Sequence, residues 1–165
     1  MRTAPTTIIY LPSELNAFVT FGDVFIEGRN GKLILPDGIF IKNNCLVISS
    51  LIRGGFRSNA FSMIKGLKFK HVKWLVLRGA GFKATFAQQT LTLSLGFSHC
   101  VFVNIPSSVS IDIYQNVKIR VTGLCLQHVT FVAQIVKSKR LPDAYKAKGV
   151  LYRFDETKTK SGKRR

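Results

Sequence analysis

The residues with the clearest chemical capacity lie in one stretch, Lys137-Ser-Lys-Arg-Leu-Pro-Asp-Ala-Tyr-Lys-Ala-Lys-Gly-Val-Leu-Tyr-Arg153. It is dense in cations, carries Tyr145 and Tyr152, and is interrupted by Pro142 and Gly149, which excludes one long helix. On an extended segment, the two-residue side-chain period would place the ammonium groups of Lys146 and Lys148 on one face. Cationic heads interleaved with flat rings suit phosphate neutralisation and stacking on exposed bases. The same composition also fits a solvated, disordered basic tail, and the stretch by itself leaves both readings open.

Residues for catalysis are thin elsewhere. The eight acidic residues are scattered, and no two are spaced to share one face of an element, as paired-carboxylate chemistry requires. His71, His99 and His128 stand apart, without His-x-x-x-His spacing or a neighbouring carboxylate, which argues against metal binding or general-base work. Cys45, Cys100 and Cys125 are odd in number and far apart. They read as three reduced, mostly buried thiols, not as a zinc ribbon or a disulfide framework. Gly79-Ala-Gly81-Phe82 lacks the third glycine and the following helix of a dinucleotide fingerprint, so it reads as a bulge or a close backbone approach. No catalytic residue, cofactor or metal is expected.

The charge points the other way. A net charge of +17 over 165 residues opposes compaction and implies a polyanionic partner. It is also unevenly placed, with +8 in the last 29 residues. Lys139, Arg140, Arg153, Lys158, Lys160, Lys163, Arg164 and Arg165 join Lys146 and Lys148 as candidate phosphate ligands there. With 46% hydrophobic residues the chain still has ample material for a core. No apolar run approaches the ~20 residues needed to span a bilayer, so a soluble chain without a membrane partner is expected. The segment before Ile8 is too short for a signal or transit peptide.

The elements that position this stretch read as strands followed by a helix, twice over. Ile8–Leu11, Ala17–Phe21, Val24–Ile26, Lys32–Leu35, Ile39–Ile41 and Cys45–Ile48 alternate in the manner of strands. Turn signals separate them at Gly22-Asp23, Gly28-Arg-Asn-Gly31, Pro36-Asp-Gly38 and Asn43-Asn44. After Gly54-Gly55, the residues Phe56, Ala60, Phe61, Ile64, Leu67 and Val72 follow helical spacing, with Ser58 or Asn59 as caps. Strand patterns resume from Trp74 to Val121 and Gly123 closes them. Leu124, Val129, Val132, Ala133 and Val136 then form a second helical stripe. The expected fold is α+β: two tandem duplicated domains, each a small antiparallel sheet packed by one helix, with a basic C-terminal arm. The expected bounds are 1–72, 73–139 and 140–165. The arm from Lys137 onward is expected to be disordered when free and to order on its partner.

Two motifs carry a resemblance. Leu93-Ser-Leu-Gly-Phe-Ser-His99 and Pro142-Asp-Ala-Tyr-Lys-Ala-Lys-Gly-Val-Leu-Tyr152 resemble the ribosomal protein L6 family of the large subunit. Gly28-Arg-Asn-Gly-Lys-Leu33, Leu77-Arg-Gly-Ala-Gly-Phe-Lys-Ala84 and Gly123 extend the likeness along nearly the whole chain. The resemblance implies two tandem sheet-plus-helix domains and no enzymatic activity. It implies binding to large-subunit ribosomal RNA among neighbouring ribosomal proteins, near where translational GTPases transiently act. Carried over by position, it makes Tyr145, Lys146, Lys148, Gly149 and Tyr152 the RNA contacts, with Lys83, Ser98 and His99 secondary. Gly149 would allow close backbone approach to the RNA. The chain departs from the family pattern at Ala144 (proline), Ala147 (glycine), Leu151 (arginine) and Gly123-Leu-Cys-Leu126, where an acid and a lysine are usual. Such drift, with thirteen phenylalanines, implies an organelle ribosome, the mitochondrion first, with plastid or bacterial cytoplasm as alternatives. A free-standing basic RNA-binding module outside the ribosome is the other reading.

Overall fold

The computed structural model describes residues 7–20, 23–35, 39–42, 45–48 and 55–162. The expected turns at Gly22, Pro36-Asp-Gly38, Asn43-Asn44 and Gly54 fall outside the described residues, as do Lys163, Arg164 and Arg165. The chain divides into two compact units, one ending at Lys70 and taking in Leu124–Leu126, the other comprising His71–Gly123 and Gln127 onward.

The first unit holds β1 (Thr7–Tyr10), β2 (Asn16–Thr20), β3 (Asp23–Gly28), β4 (Gly31–Leu35), β5 (Ile39–Lys42), β6 (Cys45–Ile48) and α1 (Gly55–Lys68). Its strands form two antiparallel sheets, β1-β6-β5 and β2-β3-β4. Alternation decides the faces. Val24 and Ile26 enter the core with Leu11, Leu15, Leu35 and Leu46, where Ala60, Ile64 and Leu67 of α1 meet them. The Gly28–Gly31 pair closes the β3–β4 hairpin. Asn30 in its turn does a second task, because its side-chain amide donates to the carbonyls of Leu67 and Lys68, each at 3.0 Å. Those carbonyls end α1 and lack intrahelical partners. Two expectations shift here. The helix begins at Gly55, so Ser58 and Asn59 lie within it and do not cap it. Val72 belongs to the next strand, since α1 stops at Lys68 and the chain then pairs laterally.

The second unit holds β7 (His71–Arg78), β8 (Lys83–Ala87), β9 (Thr90–Ser94), β10 (Val101–Asn104), β11 (Val109–Tyr114), β12 (Lys118–Gly123), all but the first residue of α2 (Leu126–Ser138) and β13 (Gly149–Tyr152). Three strands make the sheet β10-β9-β8 and four make β11-β12-β7-β13, all neighbours antiparallel. Its core gathers Leu75, Leu77, Leu91, Leu93, Ile119 and Val121 from the strands with Val129, Val132, Ala133 and Val136 of α2. The four helix residues recur at the 3–4-residue spacing that one helical face requires. Each unit is thus a sheet-plus-helix body of α+β type. Cys125 is buried and Cys45 half-buried, but Cys100 is exposed on the turn before β10; all three are free.

The basic arm corrects the expectation most. Residues 149–152 form strand β13, paired antiparallel with β7 in the register Gly149↔Arg78 to Tyr152↔Leu75. Val150 and Leu151 are buried. The stretch from Lys137 to Tyr152 is therefore a helix end, a closed loop and a sheet strand. The buried apolar pair supplies the driving force that a purely polar tail would lack.

Candidate nucleic-acid interface

The loop between α2 and β13 is closed by its own backbone. The Val150 amide donates to the Arg140 carbonyl at 2.9 Å, and the Asp143 amide to the Lys148 carbonyl at 3.0 Å. Inside this ring, Asp143 organises the turn. Its carboxylate accepts from the amides of Tyr145 at 3.3 Å and Lys146 at 3.2 Å, and its carbonyl from the Ala147 amide at 2.9 Å. Such an Asx turn is what a short acidic side chain offers the backbone. The segment is a turn and not an extended run, so the shared-face argument for Lys146 and Lys148 fails. Fixed loop geometry replaces it: Tyr145, Lys146 and Lys148 are all exposed on one ordered loop.

Several of the expected contact residues also have partners within the fold. A Cβ on Gly149 would lie 2.6 Å from Pro142 Cα and 2.7 Å from both Leu141 O and Pro142 N. The protein's own backbone thus already requires glycine at this position. The Tyr152 ring is half-buried against the core, with the ammonium groups of Lys137 at 4.4 Å and Lys73 at 5.8 Å from its centroid. It already serves as a cation-binding face within the unit. The Arg140 guanidinium donates to the Leu95 carbonyl and stacks over Phe82 at 5.2 Å and Phe97 at 4.8 Å. Arg140 thereby ties the basic loop to the turn at Gly96–His99. That turn exposes Ser98 and His99, and the His99 ring stacks on Phe97 at 5.9 Å and 15°. Phe82 itself lies against Gly79, where a Cβ would sit 2.7–2.8 Å from its ring, so the close approach expected at Gly79 is made by a side chain.

The remaining candidates are placed as follows. Lys139 follows α2 and is exposed; Lys83 is exposed at the start of β8. Beyond β13, the Lys160 amide donates to the Ala144 carbonyl at 2.9 Å, so this segment folds back over the loop, with Lys158 and Lys160 exposed. Arg153 is exposed, with its guanidinium 5.7 Å from the Trp74 ring and 5.6 Å from that of Phe154. Among the described residues, four carboxylates pair with cations: Glu27 with Lys32, Glu14 with Lys68, Asp112 with Arg120 and Asp155 with Lys137. Among the described residues, no three His, Cys, Asp or Glu side chains gather to hold a metal, and no helix is long and apolar enough to cross a membrane.

The Lys137–Asp155 pair, 2.5 Å apart, pins the chain after β13 to the end of α2. The hydrogen bond from Lys137 holds the Asp155 carboxyl below its ordinary value of about 3.9. A depressed folded pKa means that the tie is complete above that ordinary value and lost as pH falls through the lower folded one. The Tyr152 ring resonances are therefore expected to shift in acid below about pH 4, and Asp155→Asn to remove that step. A wild-type spectrum without the step would contradict the tie.

Sequence reasoning passed over one group: Trp74, Tyr114, Lys118 and Arg120 on the outward face of the four-stranded sheet. Its signal was a tryptophan and two cations at the period-two positions opposite the buried Leu75, Ile119 and Val121.

Comparison with known proteins bears on the whole chain. A family model described as Ribosomal protein L6 matches residues 78–153. The chain is 31% identical to the large ribosomal subunit protein uL6 of Leptospira biflexa over 175 aligned residues, which cover 99% of this chain and 98% of that protein. It is 30% identical to the uL6c protein of Pyropia yezoensis over 168 residues, covering 94% and 93%. With the uL6 protein of Neisseria gonorrhoeae it shares 35% identity over 136 residues, covering 82% and 74%. The chain belongs to the ribosomal protein L6 family.

Members of the L6 family are structural ribosomal proteins and not enzymes. Two departures from the L6 pattern acquire a physical meaning in this fold. Ala147, where the pattern has glycine, sits at a left-handed φ of 52°, a conformation that costs a residue with a Cβ about 1 kcal/mol. The Asx turn around it offsets that strain. Leu151, where the pattern has arginine, is 1% exposed and so could not keep a guanidinium solvated.

Proposed function

We propose that this L6-family chain is a structural constituent of the large ribosomal subunit that holds large-subunit ribosomal RNA through the loop Lys139–Lys148 and the turn at Phe97–His99. The observation that carries the reading is the exposure of Tyr145, Lys146 and Lys148 together on a loop closed by its own backbone. A preformed loop presents cations to phosphates without an ordering cost on binding. Lys139, Lys158, Lys160 and Arg153 are further exposed cations of the same C-terminal stretch, Lys83, Ser98 and His99 are exposed secondary contacts, and Lys163, Arg164 and Arg165 continue the stretch in sequence. Contacts of this type hold the RNA backbone and its shape, not its sequence.

The finer placement follows the resemblance: beside the region where translational GTPases act, among neighbouring ribosomal proteins. The sequence drift at Ala144, Ala147 and Leu151 favours the mitochondrial ribosome, while the relatives named above include plastid (uL6c) and bacterial proteins. Sedimentation of an organelle lysate tests the assignment. The chain is expected to travel with large subunits and to stay with them when subunits are separated. Recovery as free protein at the top of the gradient would overturn it in favour of a free-standing RNA-binding module.

A further inference from the structure

The outward face of the sheet β11-β12-β7-β13 carries two cross-strand rows. In one, Trp74 of β7 stands opposite Arg120 of β12, which stands opposite Asp112 of β11. In the next, Val76 faces Lys118 and Lys118 faces Tyr114. The diagonal brings the Trp74 and Tyr114 rings to 5.5 Å between centroids, tilted by 39°. Arg120 is part of this floor. Two of its nitrogens donate to Asp112 Oδ2 at 2.8 and 3.0 Å, and its guanidinium lies 5.9 Å from the Trp74 ring and 5.5 Å from that of Tyr114. Above the floor opens a cleft of about 400 Å³ lined by Trp74, Val76, Tyr114, Gln115, Lys118 and Arg153.

Core packing does not account for this arrangement, because neither Trp74 nor Tyr114 belongs to the buried cluster on the other face of the sheet. Asp112 neutralises Arg120, but among the described residues no carboxylate pairs with Lys118 or Arg153 at the rim. The cleft therefore offers a largely apolar, π-rich floor with two cations at its rim that form no ion pair among the described residues. A flat ring bearing negative charge complements both halves. Aromatic floors stack bases regardless of sequence, and neighbouring cations hold the linking phosphates. The volume is also in the range of sites for molecules of nucleotide size.

We propose that this cleft is a binding site for an unpaired nucleotide of single-stranded RNA, its base on Trp74 and Tyr114 and its phosphate between Lys118 and Arg153. The site goes beyond the loop Lys139–Lys148 and shares only Arg153 with the surface described above. An unpaired nucleotide here would anchor RNA through stacking, whereas the loop holds RNA through charge.

Trp74 is the chain's single tryptophan, so its fluorescence reads the cleft directly. Titration of the full chain with a hexa-adenylate oligoribonucleotide is expected to quench that fluorescence saturably. Tyr114→Leu and Arg153→Ala should each weaken the binding roughly ten-fold, with circular dichroism confirming that each variant remains folded. Lys42→Ala, which removes one exposed positive charge that belongs to neither surface, should leave it within two-fold, which separates loss of Arg153 from a general loss of charge. An abasic ribose-phosphate hexamer of equal charge should bind at least ten-fold more weakly. Absence of quenching overturns the proposal. So does equal binding of the abasic hexamer, which would mean charge alone. Tighter binding of a hexaglutamate peptide carrying one tyrosine would reassign the cleft to a protein partner.

Discussion

Replacing Gly149 with alanine is expected to lower the melting temperature by several degrees or more and to loosen the C-terminal strand. The added methyl would sit 2.6–2.7 Å from three backbone atoms of Leu141 and Pro142, none of which is the flexible end of a side chain. Either β13 must shift off β7 or the closed loop must open, because the Val150–Arg140 hydrogen bond couples the two. Overpacking against backbone costs about 3 kcal/mol at the upper end of the usual range. For a chain of this size that corresponds to roughly 6–12 °C. Gly162→Ala serves as the control, since nothing lies within 4 Å of the position its Cβ would take, and a shift within about 0.5 kcal/mol is expected there. Equal melting curves for the two variants would show that the close approach at Gly149 does not constrain the fold.

Removal of both ammonium groups by Lys146→Ala and Lys148→Ala should have the largest effect on RNA binding. If the basic surface engages about 6–8 phosphates, affinity for a large-subunit ribosomal RNA fragment falls by several orders of magnitude between 50 and 200 mM salt. Six exposed cations are available in the described part of the arm: Lys139, Lys146, Lys148, Arg153, Lys158 and Lys160. Loss of two contacts should flatten the slope of log affinity against log salt by about 2 and weaken binding several tens of fold at 0.1 M salt. Because both side chains are exposed and the loop is held by backbone bonds and Asp143, the variant should melt with the wild type. Fitting the slope separates electrostatic loss from unfolding. An unchanged slope would mean that neither lysine touches a phosphate. Arg140→Ala should behave in the opposite way, destabilising the turn at Gly96–His99 because its guanidinium bridges Leu95, Phe82 and Phe97.

What was legible from residue order alone was whatever depends on neighbours in the chain. Alternation marked most strands, the 3–4-residue recurrence of Val129, Val132, Ala133 and Val136 marked α2, and Asn30-Gly31 marked a hairpin. These patterns are local because the strand and helix periods are properties of the backbone. The motif spelling at Leu93–His99 and Pro142–Tyr152 carried the family. Composition set the excess charge and its concentration at the C-terminal end.

Only the tertiary structure decided which of the arm's residues face outward. Tyr145 and Tyr152 look equivalent in the chain, yet one is exposed and the other is occupied by Lys137 and Lys73, because Tyr152 lies in a strand that pairs with residues seventy-odd positions earlier. Lys146 and Arg140 are both cations in a basic run, yet Arg140 is claimed by the Leu95 carbonyl and the rings of Phe82 and Phe97. The Trp74–Tyr114 cleft needs three strands in register before it exists at all. Burial and partnership are set by which distant segments the core brings together, and long-range pairing leaves no periodic trace in the order of the residues.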